Sequence, residues 1–164
     1  MRSLQYSQFG AAAEVLGVAD APEPKPGDGQ VLIRTILSPI HNHDLWTIAG
    51  SYGYKPSLPA IGGSEAVGII EAVGAGVDAG LVGKRVVAGG AGTWAELYLA
   101  QAAGVLPVPD TIADEAAAQL MAMPFSAIAL LEHLEVKQGD WVIQSAANGA
   151  VGKIFDRLAK SRGV

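Results

Sequence analysis

Glycine punctuation is the feature of this sequence that most limits how it can fold. The chain has 21 glycines among 164 residues, and most of them interrupt short apolar runs. "QVLIRTILSP" reads as a strand of β-branched and aliphatic residues, preceded by the turn "PKPGDG". "EAVGIIEAVGAGV" and "GKRVVAGG" read as two more strands, and "TWAELYLAQ" alternates well enough to be a fourth. "GVLPVPD" closes the region with two prolines. Short strands at close spacing, divided by Gly/Pro turns, predict a small barrel-like β domain up to about residue 110. Half of the residues are hydrophobic, enough for a sizeable core.

Beyond that point the character changes. "DTIADEAAAQLMAM" predicts a helix, with Asp110 or Thr111 as N-cap and acids in the first turn. "PFSAIALLEHLEV" predicts a second helix, with Pro124 in its first turn. The remainder reads as turn, strand (Trp141 to Ser145), glycine loop and helix (about Ala150 to Ser161). That is the first β-α unit of a nucleotide-binding sheet. A parallel sheet needs further strands, so the expectation is a fragment of a longer protein, or a last segment that packs differently. The expected domains are 1–124, catalytic, and 125–164, the start of a dinucleotide-binding domain.

Composition removes several functions. The absence of cysteine excludes disulfides, thiolate nucleophiles and cysteine-ligated zinc. Net charge is −5 and no Lys/Arg run exists, so no nucleic-acid groove is expected. The N-terminus is no secretory signal, since Gln5, Gln8 and Glu14 interrupt its apolar run. Ala116 to Leu134 contains Gln119, Pro124, Ser126, Glu132 and His133, whereas a membrane span needs roughly 20 nearly uninterrupted apolar residues. A cytoplasmic protein with a small-molecule substrate and no membrane partner is expected.

Two motifs carry chemistry. In "SAANGAVGK", Asn148, Gly149, Ala150, Val151 and Gly152 lead from strand to helix. Gly149 permits a tight turn, Gly152 permits close approach, and N–H groups at the helix start face an anion such as a pyrophosphate. A plain tight turn is the competing reading. The ribose-reading residue would lie past Val164, which leaves NADPH and NADH equally open. The second motif is "PIHNHDLW". His41, His43, Asp44 and the later Glu65 are legitimate metal-ligand types. The alternatives are local hydrogen bonding beside a cleft, or a proton relay. Asp44 is expected as the N-cap of "DLWTIAG". Glu65, in an apolar strand, must be paired or solvated.

Taken in order, "SPIHNHDLWTIAGSYG", "LPAIGGSEAVG", "GAGTWAELYL" and "VIQSAANGAVGK" resemble the N-terminal half of the medium-chain dehydrogenase/reductase superfamily. The resemblance is nearest to its zinc-free enoyl thioester reductases, with quinone oxidoreductases next. It implies a mainly β, GroES-like domain followed by helices and the incomplete start of a Rossmann-type α/β domain. Zinc-dependent members carry Cys-x-x-Asp and Gly-His-Glu. Here His41 stands at the cysteine position, Asp44 at the aspartate position and Ser64 at the histidine position, so the resemblance implies no metal. It implies NADPH or NADH as cofactor, with Ser126 near the nicotinamide and Gly149, Ala150, Val151 and Gly152 at the pyrophosphate. It implies a homodimer for the full-length form.

By the same resemblance Tyr52, in "GSYG", serves the substrate carbonyl, His41 and His43 flank the cleft, and Trp94 lines it. Hydride delivered to the β-carbon of a 2-enoyl thioester pushes charge onto the thioester oxygen. A phenol, with a reference pKa of about 10, can donate a hydrogen bond there at neutral pH. Tyr54 is the alternative donor. The function implied is a zinc-independent NAD(P)H-dependent reductase of an activated C=C bond. A quinone oxidoreductase, or an inactive binding module lacking most of the cofactor domain, are its rivals.

Overall fold

The computed structural model describes residues 1–164, which form two units, Met1–Ala118 and Gln119–Val164. The first unit contains β1 (Arg2–Tyr6), α1 (Ala12–Val15), β2 (Gly17–Asp20), β3 (Gln30–Leu37), α2 (Asn42–Ile48), β4 (Ala60–Ile61), β5 (Glu65–Val73), β6 (Arg85–Gly89), β7 (Leu97–Gln101), β8 (Leu106–Pro107) and α3 (Asp114–Ala117). One sheet has the order β2-β1-β4 and the other β7-β3-β5-β6-β8. All named strand pairs are antiparallel.

The larger sheet follows directly from alternation. Side chains an even number of residues apart share a face, and the buried cluster is drawn from such pairs: Val31 and Ile33, Ala66 and Ile70, Val86 and Ala88, Tyr98 and Ala100. Each fully buried Val or Ile contributes about 1.5–3 kcal/mol. Tyr98 is also buried, and its hydroxyl donates to the Ala66 carbonyl at 3.1 Å. Burial pushes its phenol well above the usual range, and the charge of Glu65 adds to this.

The register of β3 on β5 positions everything described below. Thr35 pairs with Gly68 and Leu37 with Val67, with an irregularity between. Antiparallel pairing therefore brings the chain leaving β3 alongside the chain entering β5. Residues 38–44 meet residues 62–65. Ser38 ties the two together, donating to the Glu65 carbonyl at 2.6 Å and lying 3.0 Å from the Thr93 hydroxyl.

Four expectations change. The strand "TWAELYLAQ" pairs regularly only from Leu97, with an isolated bridge from Ala95 to Ser3. The alanine-rich helix does not run through "DTIADEAAAQLMAM". It covers only Asp114–Ala117, with Ala113 as N-cap. Its successor α4 (Ala122–His133) restarts so that Pro124 sits in a first turn, because a proline ring cannot follow four helical residues without clashing with the carbonyl behind it. Asp44 is not the N-cap of its helix. That position belongs to His41, and Asp44 is the third helical residue. Its carboxylate reaches back to the His41 N–H at 2.9 Å, as an acid at that position of a capping box does.

The fourth change is in the second unit. Trp141–Ser145 makes no ladder, since a strand needs a neighbouring strand to accept its hydrogen bonds. Trp141 is 97% exposed and Ile143 fully exposed. The following helix α5 (Ala150–Ser161) has the expected bounds. It packs Phe155 and Ala159 against Ala127 and Leu131 of α4, and Arg162 pairs with Glu132 at 2.6 Å. In the 164-residue chain the amides of Trp141–Gln144 should exchange with solvent at nearly the free rate, while those of β3 and β5 are strongly protected. Hydrogen exchange read residue by residue checks this.

Candidate active site

The first site element is α2. Its start is fixed by the Asp44–His41 contact, and its length by Gly50, whose positive φ of 73° ends the turn. A seven-residue helix entered this way projects the His41 and His43 rings toward the β5 entry. The rings stack, with centroids 5.0 Å apart and planes 28° apart. His41 is buried, and its Nε2 lies 2.5 Å from Glu65 Oε1. Glu65 is 1% exposed, so the carboxylate that the sequence requires to be paired finds its partner here. His43 is partly exposed, and its Nε2 lies 2.8 Å from Ser64 Oγ. Asp44 Oδ1 is 3.6 Å from the same nitrogen. On the other side of His43 is Tyr52, with ring centroids 5.9 Å apart.

These side chains open onto a cavity of about 230 Å³, whose wall includes His43, Asp44, Tyr52, Tyr54, Tyr6 and Ser64. Its volume suits a carbonyl and its immediate neighbours. Burial raises the Tyr6 phenol above its ordinary value, with smaller contributions from Tyr54 and Asp44. The cavity therefore opposes a further negative charge on that phenol, so Tyr6 remains a hydrogen-bond donor. His41 stands one ring behind the cavity.

Trp94 faces elsewhere. Its indole N–H donates to the Pro39 carbonyl at 3.0 Å, and its ring lies against Gly62 and Gly63, where an added Cβ would come within 2.4 and 2.5 Å of it. It lines a larger apolar groove of about 720 Å³, shared with Leu4, Val18, Ile36 and Leu37. Gly62 and Gly63 line the smaller cavity, so the glycine pair and Trp94 form a wall between the two spaces. Only glycine fits at 63, where φ is +92° and Thr93 Oγ1 would lie 2.4 Å from a Cβ.

The remaining predicted residues lie in the second unit. Ser126 is exposed on α4, its hydroxyl donating to the Ala122 carbonyl at 2.7 Å. Gly149 is the N-cap of α5. At Gly152 a Cβ would lie 2.6 Å from the Ala147 carbonyl oxygen, so the bare α-carbon is what allows loop 146–149 to fold over the helix start. The N–H groups of Ala150, Val151 and Gly152 precede the first helical bond, Lys153 N–H to Gly149, and point outward from the helix end. The loop thus suits a pyrophosphate. For a metal the donors suit less well: Nε2 of His41 and of His43 already has a protein partner, and no group of three His, Cys, Asp or Glu side chains is arranged to hold a metal ion.

Tyr6 and Ser64 were not identified as site residues from sequence. Tyr6 arrives from β1, with no local signal. Ser64 stood out only as a changed ligand position.

The sequence model of the alcohol dehydrogenase GroES-like domain matches residues 27–110, and the chain belongs to the medium-chain dehydrogenase/reductase superfamily. It is 39% identical over 143 residues to a mitochondrial enoyl-[acyl-carrier-protein] reductase of Caenorhabditis elegans, covering 85% of this chain and 42% of that protein. Quinone oxidoreductases are similar in structure. That of Coxiella burnetii superposes with a TM-score of 0.93 at 28% identity, over 99% of this chain and 54% of that one. The Escherichia coli enzyme, solved with NADPH, gives 0.90 at 28%, over 99% and 50%. The chain spans about half the length of the relatives it matches.

Removing one member of the buried pair leaves the other unpaired. Glu65→Ala should lower unfolding stability by about 3–5 kcal/mol, measured by urea denaturation. Gly63→Ala should cost at least ~2 kcal/mol from strain and overpacking.

Proposed function

We propose that this chain is the catalytic-domain part of a zinc-independent, NADPH-dependent oxidoreductase that reduces an activated C=C bond, with a 2-enoyl thioester as acceptor. The observation that carries this reading is the cavity wall, where Tyr52, His43 and Ser64 present hydroxyl and imidazole groups to one small space. A conjugated carbonyl seated there would accept a hydrogen bond from the Tyr52 hydroxyl. NADPH, when bound, would supply the hydride; within the second unit, residues 149–152 would hold its pyrophosphate and Ser126 its nicotinamide end. As charge moves from the β-carbon to the thioester oxygen, the Tyr52 donor stabilises charge that exists mainly in the transition state. Gly62 and Gly63 form part of the wall against which such a carbonyl would sit. Conjugation spreads the charge without a Lewis acid, in keeping with histidines whose Nε2 atoms are held by Glu65 and Ser64.

The fold's close match to quinone oxidoreductases favours one second reading. A quinone would occupy the same cavity, and Tyr52 would shape it without being required as a donor. Tyr52→Phe separates the two. On crotonyl thioester with NADPH, in protein that includes any residues encoded beyond Val164, the enoyl reductase reading expects kcat to fall about 100- to 1,000-fold. Unchanged thioester turnover would sink the assignment, and quinone reduction indifferent to the substitution would favour the second reading. Calorimetric titration of NADPH against the 164-residue chain tests whether the glycine loop binds cofactor unaided.

A further inference from the structure

Reduction of an enoyl thioester consumes a proton at the α-carbon as well as a hydride at the β-carbon. A tyrosine placed at the thioester oxygen serves the charge and leaves the α-carbon without an acid. The same cavity holds a second set of groups. Ser64 Oγ and His43 Nε2 are 2.8 Å apart, within the reach needed for proton transfer. Asp44 Oδ1, 3.6 Å from that nitrogen, offers a countercharge. Asp44 is itself fixed through its other oxygen by the His41 N–H, and Thr47 Oγ1 holds the His43 carbonyl at 2.7 Å. The His43 side chain is 25% exposed. One ring therefore touches both the cavity and solvent; it stacks on His41 and has Tyr52 tilted beside it.

We propose that Ser64 and His43 form the proton-delivery pair of this cavity, with Ser64 protonating the α-carbon of the enolate and His43 reprotonating Ser64. The proposal rests on the reductase reading above. Hydride adds to the β-carbon, and the π electrons of the C=C bond become the enolate pair. That pair takes the Ser64 Oγ–H proton at the α-carbon as the thioester carbonyl re-forms. In the same motion the His43 Nε2–H proton passes to Oγ, so no alkoxide persists. His43 then regains that proton from solvent, to which a quarter of its side chain is exposed. One hydride and one proton are added, and Tyr52 keeps its own proton. His41 and Glu65 touch no reacting atom; they are positioning residues that hold the His43 ring in place.

The test is reduction of crotonyl thioester in D₂O, with the configuration of the deuterium at the α-carbon as readout. Wild type should give a single configuration. Ser64→Ala should lower kcat about 100-fold, change KM by less than about threefold and scramble the α-configuration. Ser64→Thr, which keeps a hydroxyl, should restore a single configuration. A bond that only braced the loop would leave stereochemistry intact. Independently of turnover, the ¹⁵N resonance of His43 Nε2 should move in Ser64→Ala while that of His133 does not. Turnover within about threefold of wild type with one configuration overturns the proposal. Wild type that reduces no enoyl thioester overturns the reductase reading instead, and an unmoved His43 resonance then overturns the pair as well.

Discussion

The antiparallel register of β3 on β5 is the constraint on which the rest of the site depends. Pairing of Leu37 with Val67 forces the segment after β3 and the segment before β5 to share one place. Two histidines and an aspartate come from one side, a serine and a glutamate from the other. A slip of one residue would turn the side chains of a strand to the opposite face and part the two segments. The buried His41–Glu65 pair exists because of that register, and it secures it in turn. A carboxylate at 1% exposure is tolerable only with a partner, so misaligned pairings of the two strands carry an electrostatic penalty as well as a packing one.

Around that pair the site is layered by ring contacts. His41 stacks on His43, and Tyr52 lies tilted beside His43 with centroids 5.9 Å apart, so three rings connect the buried wall to the cavity mouth. The buried His41 ring is held by the Glu65 carboxylate. Its neighbour His43 is held by the Ser64 hydroxyl.

Much of this was legible in the sequence. The central strands were visible because alternation and glycine punctuation are local signals, and α5 because a glycine loop leads into an amphipathic run. Motifs point to Tyr52, His43 and the glycine loop, and the structure places Tyr52 and His43 on one cavity wall and the glycine loop at the start of α5. What escaped depends on distant partners. Strands β1 and β2 carry no strong pattern and form by pairing with each other and with β4. Trp141–Ser145 looks like a strand, but alternation cannot supply the neighbour a strand needs. Asp44 was read as a cap one turn late, because His41 is an unusual N-cap and only the bond from its N–H to the carboxylate reveals the true start. Tyr6 enters the cavity from a strand 46 positions before Tyr52 in the sequence, which no local signal reports.

We propose that this cavity polarises a conjugated thioester carbonyl. The most direct measurement is the ¹³C chemical shift of the carbonyl carbon of labelled crotonyl thioester bound to the protein. Polarisation by a donor at the oxygen predicts a downfield displacement from the free value. A bound resonance that stays at the free position would contradict the account.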